Sequence, residues 1–257
     1  MRRAPLVTCN CLPPRPIRQS QAFWTPPVPA AISRRSTCAV DKATPPRPCL
    51  TEAATSSGVD FSPAMLAFAR QRVRTATFIE ADAQDLPFND AEFDLVVTNF
   101  GVCHVPDQPR ALAEARRVLR PGGRFAMTVW CGPETSPCFA SVYAAIKKHG
   151  DPHVSAPSAP DFHQFARRDV SVKLLTEAGF SKIDVTTVDC AWNLKAPEDL
   201  FEIYAKGTVR AAMVLSKQPP DNLAAIRSAL TAAVRQQFSR GDRWRVPVPA
   251  ALVRATA

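Results

Sequence analysis

From Gly58 to Trp130 strand-length apolar runs alternate with amphipathic stretches of helical period. Few architectures besides an open sheet covered by helices satisfy that alternation. The run Phe93-Asp94-Leu95-Val96-Val97-Thr98-Asn99-Phe100 is almost continuously apolar. Such a run suits a strand buried on both faces, which is the mark of a parallel, doubly wound sheet. Gly58-Val59-Asp60 reads as a strand end, with Ser62 placed to cap a helix and Pro63 suited to its first turn. Met65, Leu66, Ala69 and Val73 follow at helical spacing. Ala76 to Glu80 reads as the next strand. Pro109 to Leu119 reads as a helix, Arg120 to Arg124 as a tight turn, and Phe125 to Trp130 as a strand.

The first 57 residues break the pattern. Ten of the 25 prolines lie in residues 1–50, which opposes helices and central strands. Residues 1–56 carry eight Arg or Lys and two acids, so they hold +6 of the formal +9 and leave the body nearly balanced. The basic pI therefore gives no argument for nucleic acid. Residues 1–57 are expected to be an irregular Pro/Arg-rich segment, frame-slipped or disordered. A transit peptide is opposed by its prolines.

A shifted reading frame is the preferred reading, with a disordered tail as the alternative. Codons for Arg35 to Ala43, read from each third base, permit Val/Leu, Asp, Leu/Val, Cys, Gly/Cys, Gly, Gln, Gly. That is a strand end followed by a glycine loop. This reading expects Asp41 as GAC, Lys42 as AAG and Val40 as GTG.

Eight cysteines without a C-x-x-C pair suit free thiols in a reducing cytosol, and a cytoplasmic protein is the expectation. His149, His153 and His163 lack the carboxylate or cysteine spacing of a metal site, so no metal is expected. No apolar run approaches a membrane span. The sequence specifies no oligomeric state.

In a doubly wound sheet, ligands bind at the carboxyl ends of the strands, and an acid ending the second strand accepts from ribose hydroxyls. Asp60 is that candidate. Asp82, just after the third strand, could accept from an adenine amino group. Either could also be a plain capping or solvated acid. His104, in the loop after the fourth strand, is a candidate general base, with loop packing as the alternative.

The segments GVDFSPAMLAFAR, EADAQDLPF, FDLVVTNFGVCHVPD, ALAEARRVLRPGGRF and LLTEAGFSKIDV stand in this order. Together they resemble the class I S-adenosylmethionine-dependent methyltransferases of the ubiquinone/menaquinone biosynthesis type, over roughly residues 58–195. The resemblance implies a mostly parallel, seven-stranded Rossmann-like sheet and S-adenosyl-L-methionine as cofactor. It places Asp60, Phe61, Ser62, Met65, Asp82, Ala83, Asn99, Phe100 and Gly101 around that cofactor. It also implies a glycine loop before Gly58, yet no glycine precedes that position, so the first strand and its loop are missing or scrambled.

Residues 58–257 are read as the methyltransferase domain, with substrate-covering insertions at about 131–170 and 197–239. A sixth strand is expected over Lys182 to Trp192 and a last one near Arg245 to Ala255. Aromatic residues of the insertions, Phe139, Tyr143 and Phe162 among them, suit a small apolar or aromatic substrate. Ordinary core packing of those helices is the competing reading. The chief functional alternative is a non-catalytic relative acting through partner binding. A nicotinamide-dependent oxidoreductase is opposed by the lack of a G-x-G-x-x-G.

Overall fold

The described residues of this computed structural model are 28–33, 56–74 and 76–257. The reading-frame argument over residues 35–43 therefore falls outside them. The large sheet uses β1 (Val28–Ser33), β2 (Ser56–Asp60), β3 (Ala76–Glu80), β4 (Phe93–Asn99), β5 (Leu119–Trp130), β6 (Ser181–Val188) and β10 (Ala250–Thr256). Their order is β3-β2-β1-β4-β5-β10-β6. A small sheet, β7-β9-β8, is formed by β7 (Ala191–Leu194), β8 (Ser239–Arg240) and β9 (Arg243–Pro247).

β2 pairs with β3, and β4 with β5, in parallel. β1 runs antiparallel to both β2 and β4, so those two neighbours point the same way. β10 runs antiparallel to β5 and β6. Five strands thus share one direction, and their carboxyl ends form one edge.

The helices start where the sequence offers caps. Ser62 Oγ accepts from the Met65 N–H at the head of α1 (Pro63–Arg72), with a proline in its first turn. Asp107 caps α2 (Gln108–Val118) and Ser136 caps α3 (Pro137–His149) in the same way. The remaining helices are α4 (Arg168–Glu177), α5 (Asp199–Gly207), α6 (Val209–Ser216) and α7 (Pro220–Gln237).

One core lies against the large sheet, with Leu112, Val118, Phe125, Met127, Leu175 and Val253 buried in it. A second core joins α3 to α5, α6 and α7 through Val142, Leu200, Tyr204, Leu215, Ile226 and Leu230. Leu200, Phe201, Tyr204, Ile226, Leu230, Val234 and Phe238 are therefore core residues. For these positions the packing reading holds.

Five boundaries differ from the sequence reading. Residues 28–33 form a central strand although Pro29 lies in it. A register shift on the β4 side between Val28 and Ala31 spans the proline, so its missing N–H breaks no regular ladder step. β2 begins at Ser56, two residues before Gly58.

The Arg120–Arg124 turn is absorbed into β5. Gly122 takes φ +76°, and the Gly122 N–H and Gly123 carbonyl both bond Ala257, so the chain stays laddered through the turn. The single strands expected over 182–192 and 245–255 are each split between the two sheets. The breaks lie side by side, where the Val248 N–H donates to the Cys190 carbonyl between Pro247 and Pro249, which have no donor to continue a ladder.

Candidate functional site at the carboxyl edge of the sheet

Asp60 ends β2. Its Oδ1 accepts from the Ser62 N–H at 2.8 Å, which fixes the turn into α1. Burial pushes the carboxyl above its usual range, against the opposing effect of that bond. The neighbouring Phe61 is 77% exposed, so the turn presents a large apolar ring to solvent. Ser62 and Met65 are half-buried behind it.

The Ala81 N–H donates to the Asp60 carbonyl at 3.2 Å, which holds the ends of β2 and β3 together. Asp82 is exposed, and both its oxygens accept from Gln84. Gln84 Oε1 in turn accepts from the Asp107 N–H at 2.8 Å. Asp82 is thus part of a loop-bracing network that reaches α2. Ala83 is half-buried within it.

Among the described residues, the end of β4 carries the one large side chain at this edge held in a left-handed backbone. Phe100 has φ +55°, a conformation that costs a bulky residue of order 1–2 kcal/mol. Three contacts hold it there. The Phe100 N–H donates to the Thr128 carbonyl at 3.0 Å, its carbonyl accepts from Cys103 Sγ at 3.4 Å, and its ring stacks on Trp130. The buried Asn99 accepts from Thr128 Oγ1. A Cβ on Gly101 would stand 2.7 Å from Thr98 Oγ1, so the turn after Phe100 admits only glycine without adjustment.

His104 closes the short 3₁₀ turn that follows, Val102–His104. It is exposed, with its ring edge-on to Phe162 at 5.4 Å. Crowding by its surroundings and the charge of Arg210 lower its pKa. Among the described residues no hydrogen bond fixes its imidazole.

Sequence reasoning missed a better-held histidine. His163 is 5% exposed and lies beside the end of β5. Its Nδ1 is 3.0 Å from the Trp130 carbonyl, and its Nε2 is 2.8 Å from the Tyr143 hydroxyl. Phe139 and Phe162 stand edge-on to the same ring, at 4.6 and 5.1 Å. Nothing in the spacing of Tyr143 and His163 signals the pair, because an irregular loop brings them together. Among the described residues there is no cluster of three or more metal-ligating side chains, and no helix is long and apolar enough to cross a membrane.

The edge fits the implied cofactor only in part. Asp60 and Asn99 flank the first residue of β1, since Val28 is the register partner of Asn99 and Ala30 that of Val59. Ser33, at the other end of β1, pairs with Ser56 and Leu95 at the opposite edge. The amino end of β1, not its carboxyl end, therefore lies between Asp60 and Asn99, where a glycine cradle would need the carboxyl end. The acid of β2 and the β4 loop suit a nucleoside ligand; the first-strand half of the site does not.

Residues 43–127 match the model of a methyltransferase domain. That match begins inside the segment before β2. The chain is 33% identical over 134 residues to a demethylmenaquinone methyltransferase of Thermotoga maritima, covering 48% of this chain and 58% of the relative. It is 30% identical over 141 residues to the ubiquinone/menaquinone biosynthesis C-methyltransferase UbiE of Brucella anthropi, covering 49% and 53%. The chain thus spans little more than half the length of these relatives. Among solved structures, the YcgJ protein of Bacillus subtilis aligns at TM-score 0.50 and 17% identity, over 81% of this chain and 83% of that one. The protein BH2331 of Bacillus halodurans aligns at TM-score 0.50 and 19% identity, over 78% and 81%. These two share the fold.

Proposed function

We infer that this chain, which resembles the class I S-adenosylmethionine-dependent methyltransferases and shares their α/β sheet, serves methyl transfer to a small apolar or aromatic molecule. The observation that carries this reading is the convergence of Asp60, Asp82 and the Asn99–Gly101 turn on one carboxyl edge, with a left-handed Phe100 at its centre. Strain of that kind persists where a site requires it.

When bound, the cofactor would supply an activated sulfonium methyl group. The residues of the chain hold and align. Asp60 would accept from ribose hydroxyls and Asp82 from the adenine amino group, the latter by exchanging its contacts with Gln84. Phe61, Ser62, Met65 and Ala83 would border the nucleoside, and Asn99, Phe100 and Gly101 the amino-acid end. The aromatic side chains of α3 and the loop before α4 would exclude water from the acceptor. His104, exposed and with no hydrogen bond to its ring among the described residues, is the candidate proton acceptor.

A second reading is favoured by one observation, the reversed direction of β1. Without a glycine cradle the protein would be a non-catalytic relative acting through a partner. Calorimetric titration of the full chain with S-adenosylmethionine separates the two. The methyltransferase reading expects saturable binding that D60N weakens. Absence of binding overturns it in favour of the second reading.

A further inference from the structure

Tyr143 and His163 form a hydrogen-bonded pair whose polarity is set by its far end. The Trp130 carbonyl can only accept, so His163 Nδ1, 3.0 Å away, carries the ring proton. Burial, the largest influence on this imidazole, lowers its pKa and keeps it neutral near pH 7. A neutral ring protonated at Nδ1 leaves a lone pair at Nε2. The Tyr143 hydroxyl, 2.8 Å from that nitrogen, is then the donor. Its own pKa is pushed up to about 12, mainly by burial, so it retains its proton.

A phenol has one proton. With that proton committed to His163, the oxygen of Tyr143 offers only lone pairs to anything approaching from outside. Of the two residues, Tyr143 is the one that faces solvent, 39% exposed against 5% for His163. The walls beside it are aromatic. Phe139 lies 5.7 Å from the Tyr143 ring and 6.4 Å from Phe162, and Phe162 leads on to His104. Through Trp130, the same backbone that anchors His163 also carries the ring stacked on Phe100. The pair therefore adjoins the carboxyl edge.

We propose that Tyr143, oriented by His163, is a donor-reading subsite that selects aromatic ligands bearing a hydroxyl or N–H and rejects the corresponding ethers. Tyr143 would touch the ligand; His163 is a positioning residue. This subsite rests on the reading above of the aromatic insertion as the acceptor side. It extends that reading by naming the group the acceptor must carry. Charged and titratable groups acting on the pair are Asp161, Glu134 and Arg167 on His163, and Asp161, Arg210 and Cys138 on Tyr143. A purely structural bond between α3 and the loop would explain the geometry, yet it would not discriminate between ligands.

The test is binding of 1-naphthol against 1-methoxynaphthalene to the full chain, followed by intrinsic tryptophan fluorescence. The wild type should prefer the naphthol by about tenfold, the worth of one hydrogen bond. Y143F should reduce the ratio to about one while leaving the ether's affinity unchanged. H163N keeps an amide donor for the Trp130 carbonyl but frees the tyrosine proton. It should shrink the ratio by strengthening binding of the ether, and it serves if Y143F folds poorly. Equal affinities in the wild type, a preference that survives Y143F, or failure of both probes to bind overturns the proposal. S-adenosylmethionine titration uses neither probe, so failure of the methyltransferase reading registers separately.

Discussion

The rings of Phe100 and Trp130 stack at 4.0 Å between centroids with planes 16° apart, tying the end of β4 to the end of β5. The contact offsets backbone strain, because Phe100 holds φ +55°. Phe100→Ala removes the ring and keeps the strain. Phe100→Gly removes both. In urea denaturation the alanine variant should therefore be the less stable of the two by about 1 kcal/mol, and both should fall below the wild type. Equal stability of the two variants would show that the left-handed backbone costs nothing here.

Gly101→Ala places a Cβ 2.7 Å from Thr98 Oγ1, at the root of a branched side chain with little room to turn. A loss of about 1–3 kcal/mol is expected, recovered in part by adding Thr98→Ala. The double-mutant cycle by thermal or chemical denaturation reads this coupling. Additive losses would place the strain elsewhere.

Arg117 fastens the loop between β3 and β4 to α2. It donates to the Phe88 and Leu86 carbonyls and to Asp90 and Glu114, while Glu114 accepts from the Leu86 N–H. Arg117→Lys should cost about 1 kcal/mol, since one ammonium cannot reproduce the planar fork. The hydrogen bond from Arg117 holds the Glu114 carboxyl below its usual range. Its contribution is therefore full above about pH 4.3, the unfolded value, and is lost as pH falls through the lower folded value. Glu114→Gln should flatten that acid limb of the stability profile.

His163 titrates with the opposite chemistry. Burial favours its neutral form, so the folded pKa lies below the unfolded value of about 6.5. Between those two values the unfolded chain binds more protons. Stability is then full above about pH 6.5 and declines as pH falls through the window beneath it. His104, lowered in the same direction, adds to the decline. Urea midpoints measured from pH 8 to pH 5 should fall less steeply in H163N than in the wild type.

Replacing residues 35–57 with the alternative frame, which permits a glycine turn, should tighten S-adenosylmethionine binding relative to the chain as it stands. Calorimetry on the two proteins decides the matter. Equal affinity would show that the glycine turn is not what limits the site.

Local chemistry made much of this fold legible. Ser62 and Pro63 announced α1, and the apolar run from Phe93 announced β4, because caps and burial patterns act over a few residues. Strand direction is not local. Val28–Ser33 offers six residues that fit a central slot, but nothing in them says which way they run, and Pro29 argued against any strand there. The splits at Cys190 and Val248 depend on each other across a hydrogen bond, which a linear reading cannot see. Asp60 and Gly101 were visible from their position after strands. Tyr143 and His163 share no periodicity, and their relation exists only once the loop after α3 has folded back.

The place of β10 has a consequence for folding. Residues 250–256 insert between β5 and β6, and Ala257 completes two bonds at Gly122 and Gly123. Until β10 inserts, the edge of β5 that it covers stays open and β6 has no neighbour in the large sheet. The large sheet therefore closes through pairings more than a hundred residues apart in the case of β5, the kind of contact that folds slowly. An open edge of this kind is a template on which another copy can pair, so the insertion of β10 also removes a route to aggregation.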